Sequence, residues 1–359
     1  MKIVRMIAVL AIVALMCAFT VSATQAAITS YIATTMTAGA GAAGMIRIMS
    51  ADGSSYIQSL SNAALWTYPS GIAFAPNGDL YAVAVNSSSV DVVDKFSYNG
   101  DGTWATTPTQ FCTLPDVGGN LVVDSSNNVY VLADGSASAA NKMKLWAFNA
   151  SGASTWTITM PGNNANSFDI RMAPAGIGGA GGGDVWVVRP DGSGTTPGAC
   201  AFNPTTGALD RQILNSYTPD EWIQGMDFGP DGNAYFCTPG YSVGDIIKYN
   251  TSTNVTTAAV ASDPAHLNHG HNWLSNCFGA DYNGDGTSDL YCGDYNASNI
   301  AVYSGVDMSY LGSISNGSYN VRRLTSWTVP VPVPEPSSLL MLVPGVAGML
   351  ALVSRKRHS

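Results

Sequence analysis

Apolar and polar positions along this chain alternate in short runs, and the runs repeat. "GIAFAPNGDLYAV", "NLVVDSSNNVYVL" and "GMDFGPDGNAYFC" each consist of an apolar strand, a polar turn and a second strand carrying an aromatic residue. Longer turns separate the same two strands in "FDIRMAPAGIGGAGGGDVWVV" and "CFGADYNGDGTSDLYCG", and a truncated version, "ITSYIATT", comes first. The aromatic falls at Tyr31, Tyr81, Tyr130, Trp186, Tyr235 and Tyr291, at intervals of about 49 to 56 residues, a period expected of propeller blades. A third alternating strand follows each marker, in "MIRIMSADG", "VDKFSYNG", "KLWAFNASG", "ACAFNPTTG", "IIKYNTSTN" and "IAVYSG". Each ends in the polar turn residues that a hairpin needs. A fourth, less regular strand leads to the next unit. Helical periodicity is almost absent. The pattern predicts an all-β fold, a six-bladed β-propeller with four short strands per blade.

The ends of the repeat indicate how the ring closes. The first unit begins at its second strand, while "YNVRRLTSWTVP" has no second strand after it. Val321–Val329 is therefore expected to supply the inner strand of the blade marked by Tyr31, which removes the exposed sheet edges. From Ile28 to Pro330 the chain resembles the NHL and lactonase-like propellers. A β-sandwich or two smaller β domains are the alternative arrangements of the same strands.

The segments outside the repeat read as addresses. Lys2 and Arg5 precede an apolar run from Met6 to Phe19 and then small residues, the order of a secretory signal peptide, with cleavage expected between Ala23 and Ala27. A retained membrane anchor is the other reading of this run. Residues 331–359 contain Pro334, Glu335 and Pro336, an apolar stretch from Leu339 to Val353, and the basic cluster Arg355, Lys356 and Arg357. Such a tail suits a short membrane-dwelling helix with a positive stop. It resembles the PEP-CTERM sorting signal of Gram-negative bacteria. The resemblance implies recognition and processing by exosortase during export; an ordinary C-terminal anchor is the alternative. The expected organisation is thus a signal peptide (1–27), a propeller (28–330) and a sorting signal (331–359).

Charge narrows the partners. The chain has 15 Lys+Arg against 24 Asp+Glu. Without Lys2, Arg5, Glu335 and the three basic tail residues, 10 cations face 23 anions, a net charge near −13. Phosphate binding needs clustered cations, so no nucleic-acid partner is expected. With 11% charged residues and 38 glycines, the surface must be mostly Ser, Thr, Asn and Gly, as suits an extracellular protein rich in turns.

Two segments could carry chemistry. In "DYNGDGTSDLYCGDY" the side chains of Asp281, Asn283, Asp285 and Asp289 and the carbonyl of Thr287 place oxygens at alternate positions, with Gly286 permitting a sharp bend. Hard oxygen donors in that spacing suit calcium. An EF-hand would need flanking helices and a glutamate where Cys292 stands. The segment instead resembles the calcium repeat of integrin-type propellers, Asp-x-Asn-x-Asp-Gly-x-x-Asp between two strands, which implies a structural calcium. A solvated Asn-Gly turn is the alternative. The similar "NGDGT" at Asn99–Thr103 lacks the outer ligands and is expected to be only a turn. The second segment, "DPAHLNHGHNW", contains His266, His269 and His271, three of the four histidines. They could ligate a transition metal or act as a general base, or be merely solvated. This segment joins two blades, and Asn120, Asn166, Asp220, Glu221, Gln224, Asn276 and Asn320 occupy equivalent connectors expected around the channel mouth. Lactonase-like propellers hold a metal there with Glu, Asn and Asp, but no glutamate stands at the expected strand starts, so no catalytic residue transfers. Arg322 and Arg323 could meet an anionic ligand or simply line the rim. Neither a serine-nucleophile motif nor a phosphate-binding glycine loop is present.

Without Cys17, five cysteines remain: Cys112, Cys200, Cys237, Cys277 and Cys292. An odd number leaves at least one thiol over. Cys277 and Cys292 flank the calcium-like loop on neighbouring strands and are the expected pair; packed thiols are an equal reading, since a propeller of this size has core enough. The function expected is a non-enzymatic binding or structural role at the cell surface or in the extracellular matrix. The sorting-signal resemblance, through its link to matrix export, implies an exopolysaccharide partner. The competing expectation is an exported metal-dependent hydrolase or lyase working at the channel mouth.

Overall fold

The computed structural model describes residues 30–37, 44–61, 69–134, 143–160, 169–177, 183–188, 198–213, 223–237, 246–260, 263, 265–267, 274–294, 298–317 and 320–329. The signal-peptide and sorting-signal segments lie outside these residues. So do His269, His271, Asn166, Asp220 and Glu221. Among the described residues no helix is long and apolar enough to cross a membrane.

Among the described residues, twenty-four strands form six antiparallel sheets of four. The first sheet contains β1 (Ser30–Thr37), β2 (Met45–Ser50) and β3 (Tyr56–Ser61). The second has β4 (Gly71–Phe74), β5 (Leu80–Val85), β6 (Asp91–Phe96) and β7 (Thr109–Thr113). The third has β8 (Val117–Val123), β9 (Val129–Asp134), β10 (Lys144–Phe148) and β11 (Ser154–Thr159). The fourth has β12 (Asp169–Met172), β13 (Val185–Val188), β14 (Ala199–Phe202) and β15 (Leu209–Ile213). The fifth has β16 (Gly225–Phe228), β17 (Ala234–Cys237), β18 (Ile246–Asn250) and β19 (Val255–Val260). The sixth has β20 (Leu274–Ala280), β21 (Asp289–Asp294), β22 (Asn299–Tyr303) and β23 (Tyr310–Ser315). β24 (Asn320–Thr328) completes the first sheet, whose order is β24-β1-β2-β3. The strands β4, β8, β12, β16, β20 and β24 each touch the next around a closed ring. The molecule is the expected six-bladed propeller, closed by its first and last strands.

Burial follows from strand position. Second strands are covered on both faces, so β13 and β17 are buried throughout, and their sequences VWVV and AYFC read as continuous apolar runs. Outer strands such as β11 and β23 leave most residues partly or fully exposed, which is why their sequence signal is weak. The aromatic markers on the second strands wedge between blades. Trp186 meets Phe228 edge-on at 4.9 Å and Tyr235 meets Phe278 at 5.2 Å. The Tyr291 hydroxyl donates to the Ala51 carbonyl at 3.0 Å, and the Tyr130 hydroxyl donates to Pro204 at 3.3 Å.

The closure is reinforced by aromatic packing. Tyr31 stands opposite Trp327 in the β1–β24 register, and their rings stack at 5.8 Å. Trp327 also meets Tyr98 at 4.9 Å and Phe74 at 6.1 Å. Beneath it lies Gly78, where φ is +88° and an added Cβ would fall 2.6 Å from the indole; only glycine suits that place on both counts. The turn Asn99–Thr103 brings Trp104 into the same cluster. The Trp104 indole donates to the Gly78 carbonyl at 2.7 Å, and its backbone exchanges two hydrogen bonds of 2.8 Å with the Gln58 amide. Trp327→Ala is expected to destabilise the fold by about 3–5 kcal/mol in urea unfolding, whereas Val306→Ala, at a residue 71% exposed, should leave the midpoint unchanged.

Candidate metal centre and central axis

The stretch 281–288 joins β20 to β21 as an exposed loop organised by its own carboxylates. Asp281 accepts backbone N–H groups from Gly284 and Gly286 at 2.7 Å each and from Asp285 at 3.2 Å. Asp285 accepts the Thr287 N–H at 2.8 Å and the Asn283 side-chain amide at 2.9 Å. Gly284 and Gly286 both adopt positive φ, which lets the chain curl around Asp281. Asp289 is different: it is fully buried and accepts the N–H groups of Tyr282 at 2.9 Å and Gly305 at 3.0 Å. Those bonds fasten the loop's exit to the β22–β23 turn.

Burial holds the Asp289 carboxyl above the ordinary carboxylate range; its two N–H donors oppose the shift, and the charges of Asp285 and Asp281 add to it. Three carboxylates thus feel one another, and the donors are hard oxygens of the kind calcium takes. Their present partners are backbone N–H groups and, for Asp285, the Asn283 side-chain amide. Among the described residues no group of three or more His, Cys, Asp or Glu side chains is gathered closely enough to hold a metal. The donor chemistry fits calcium, and the donors are not gathered about one point in this arrangement. The Asn99–Thr103 segment makes a turn in which Asp101 accepts the Thr103 N–H at 3.0 Å and hydroxyl at 2.6 Å.

His266 stands away from the axis. Its Nδ1 lies 2.7 Å from the Asp263 carboxylate, and its ring stacks on Tyr310 at 3.5 Å. The other Asp263 oxygen accepts the Tyr303 hydroxyl at 2.9 Å. Tyr310 begins the outer strand β23 and pairs with Tyr303, at the same end of the sheet as the 281–288 loop. His266 therefore packs on the outer strand of the sixth blade; the rest of this connector, His269 and His271 included, lies outside the described residues.

The inner strands hold a charged network that the sequence reading had missed. Asp169, buried on β12, accepts from the Asn120 amide and from Arg171, each at 2.7 Å, and from the Met226 N–H at 2.9 Å. The Arg171 guanidinium also donates to the carbonyls of Asn276 at 2.6 Å and Leu324 at 3.3 Å, and approaches Asp227 at 3.6 Å. Asp227 in turn accepts the Phe278 N–H at 2.8 Å. Burial raises Asp169 and Asp227 above the usual carboxylate range, and the Arg171 charge opposes that shift. Asn120, Gln224, Asn276 and Arg323, expected near a ligand-binding mouth, are all buried. The signal was an ionisable residue inside a four-residue apolar strand, in "DIRM" and "GMDF", where burial demands a partner.

The Cys277–Cys292 pairing is not realised. Cys277 stands opposite Tyr291, while Cys292 stands opposite Asn276, so the two side chains leave opposite faces of the sheet. All five described cysteines are buried and outside any disulfide. Burial pushes the Cys112 thiol up to about 12, which keeps it protonated and inert.

Comparison with known proteins agrees on the fold. The chain resembles a protein of unknown function from Bacteroides caccae (10% identity, TM-score 0.52, 83% of this chain and 99% of that one). It also resembles a protein from Bacteroides uniformis provisionally assigned as a 6-phosphogluconolactonase (14% identity, TM-score 0.51, 80% and 83% coverage). A protein from Lactobacillus plantarum is similar at 14% identity and a TM-score of 0.50, over 80% of this chain and 82% of that one. At such identities the likeness establishes fold alone. No family model matches the sequence, and no curated protein does. Fold and comparisons together define a six-bladed β-propeller.

Two outcomes follow from the charged groups. Arg171→Met strands Asp169 in the interior and should cost about 3–5 kcal/mol in chemical unfolding, against under about 1 kcal/mol for Lys248→Ala, which removes a half-exposed ion pair with Asp231. Because Asp289 has a raised value in the fold, the native state binds more protons than the unfolded chain between about pH 4 and that raised value. Its ionisation therefore lowers stability as pH rises through this window. Asp289→Asn should flatten that part of the melting-temperature profile in metal-free buffer.

Proposed function

We propose that this protein is an exported propeller of the cell surface or extracellular matrix with a binding or structural role, whose last blade is braced by one calcium ion. The observation that carries the non-catalytic reading is the central axis. There Asn120, Asp169, Arg171 and Asp227 are committed to one another and to backbone groups of neighbouring blades, so the charges that could serve a reaction instead join the inner strands. Calcium is supported by the donor set of Asp281, Asn283, Asp285, Thr287 and Asp289 and by the mutual influence of its three carboxylates. Asp289 is already fixed by two N–H groups, and Asp281 holds the loop curled. The ion would draw Asp285 and Asn283 inward and join the loop to Asp289, stiffening one blade end without chemistry. Export and exosortase processing rest on the two terminal segments. An exopolysaccharide partner rests on the association of such sorting signals with matrix export, and the sparsely charged surface is compatible with it.

Thermal melting of the full chain against a panel of divalent metals tests this reading. Calcium at a hundredfold excess over its Kd should stabilise by about 2.7 kcal/mol, and Asp285→Ala should abolish the gain while His266→Ala retains it. Stabilisation by zinc or manganese that depends on His266 would sink the calcium reading and favour metal-dependent catalysis.

A further inference from the structure

The fifth and sixth blades meet across two sulfur atoms. Cys237 ends β17, Cys292 lies on β21, and their Sγ atoms are 3.6 Å apart. The residues are 0% and 1% exposed. Around them Tyr235, Ile246, Leu267, Phe278, Leu290 and Tyr303 form one apolar cluster. Both strands are second strands, held in register on either side, which keeps the facing positions steady. A disulfide needs a sulfur separation of about 2 Å. Closing the remaining gap asks for side-chain rotation at both positions.

We propose that Cys237 and Cys292 are a disulfide-forming pair that staples the fifth blade to the sixth. The oxidant is an external disulfide, such as glutathione disulfide. One cysteine thiolate attacks it, releasing one thiol and forming a mixed disulfide. The second thiolate then attacks the protein sulfur of that mixed disulfide, expels the other thiol and forms the Cys237–Cys292 bond. Two electrons pass from the cysteine pair to the oxidant, and the two protons end on the released thiols. Burial of both sulfurs requires the exchange to run while the blades are still apart, during folding. The proposal differs from the pairing suggested by chain proximity because Cys277 packs in the cluster between the sixth and first blades, on the other face of the sheet. An oxidising compartment follows from the export reading, but the chemistry is testable without it.

The full chain is reduced, unfolded and refolded in a glutathione redox buffer; remaining thiols are alkylated under denaturing conditions and the peptides mapped by mass. The expected result is a Cys237–Cys292 linked peptide, lighter by two hydrogens, with Cys17, Cys112, Cys200 and Cys277 alkylated. Cys237→Ser should lose the linked peptide and Cys112→Ser should keep it. A second measurement needs no refolding: reductant should lower the melting temperature of the oxidised wild type by several degrees and leave Cys237→Ser unchanged. Alkylation of both Cys237 and Cys292 in folded, oxidised wild type overturns the proposal, as does a bond from Cys292 to Cys277. Neither result bears on the calcium loop or on export, so this pairing and the proposed function fail separately.

Discussion

Arg171 is the side chain on which the interior most depends. A propeller's blades are separate sheets, and packing alone lets them slide on one another. The guanidinium reaches Asp169 on its own blade, Asp227 on the fifth, the Asn276 carbonyl on the sixth and the Leu324 carbonyl on the first. Asp169 adds Asn120 of the third blade and the Met226 N–H of the fifth. Two residues separated by one position thus touch five blades. A planar guanidinium with five fixed donors can satisfy such a set, whereas a lysine ammonium of three could not. The cost of burying these charges is offset only because nearly every lone pair finds a donor, and this makes the geometry of the inner ring unforgiving.

That commitment shapes what the molecule can do. Residues expected to face a ligand at the axis, Asn120, Gln224, Asn276 and Arg323, are withdrawn from solvent. Among the described residues, polar groups open to solvent occur at the periphery, for example in the 281–288 loop and beside His266 and Tyr310. Both belong to the sixth blade's surroundings and to the same end of its sheet. Asp289 connects this periphery to the interior, since it is buried and yet grips the loop through Tyr282 and the adjacent turn through Gly305.

The fold was legible because the repeat leaves two periodic marks: apolar inner strands and an aromatic on each second strand. Steric need explains both, as the aromatic fills the wedge between blades. Closure was legible from a missing strand at one end and a surplus strand at the other. The site was less so. Local spacing brought out the oxygen-bearing side chains of Asp281–Asp289 because they are neighbours in sequence. It could not bring out Asp169 with Asn120 or Cys237 with Cys292, whose proximity arises from ring geometry. The Cys277–Cys292 pairing failed for the same reason: neighbouring strands guarantee closeness, but the alternation of side chains decides which face each sulfur takes.

The closing strand has a temporal consequence. β24 is the last strand described, and it completes the sheet that begins with β1. While ribosome or export channel still holds the C-terminal end, β1 must wait with its inner edge bare and Trp327 missing from the cluster of Tyr31, Phe74, Tyr98 and Trp104. The nascent chain can build its middle blades in order, yet the ring remains an open arc until the final residues emerge. A chain ending before Asn320 would be left permanently as such an arc, with a sticky edge and an unfilled aromatic pocket by which quality control could recognise it.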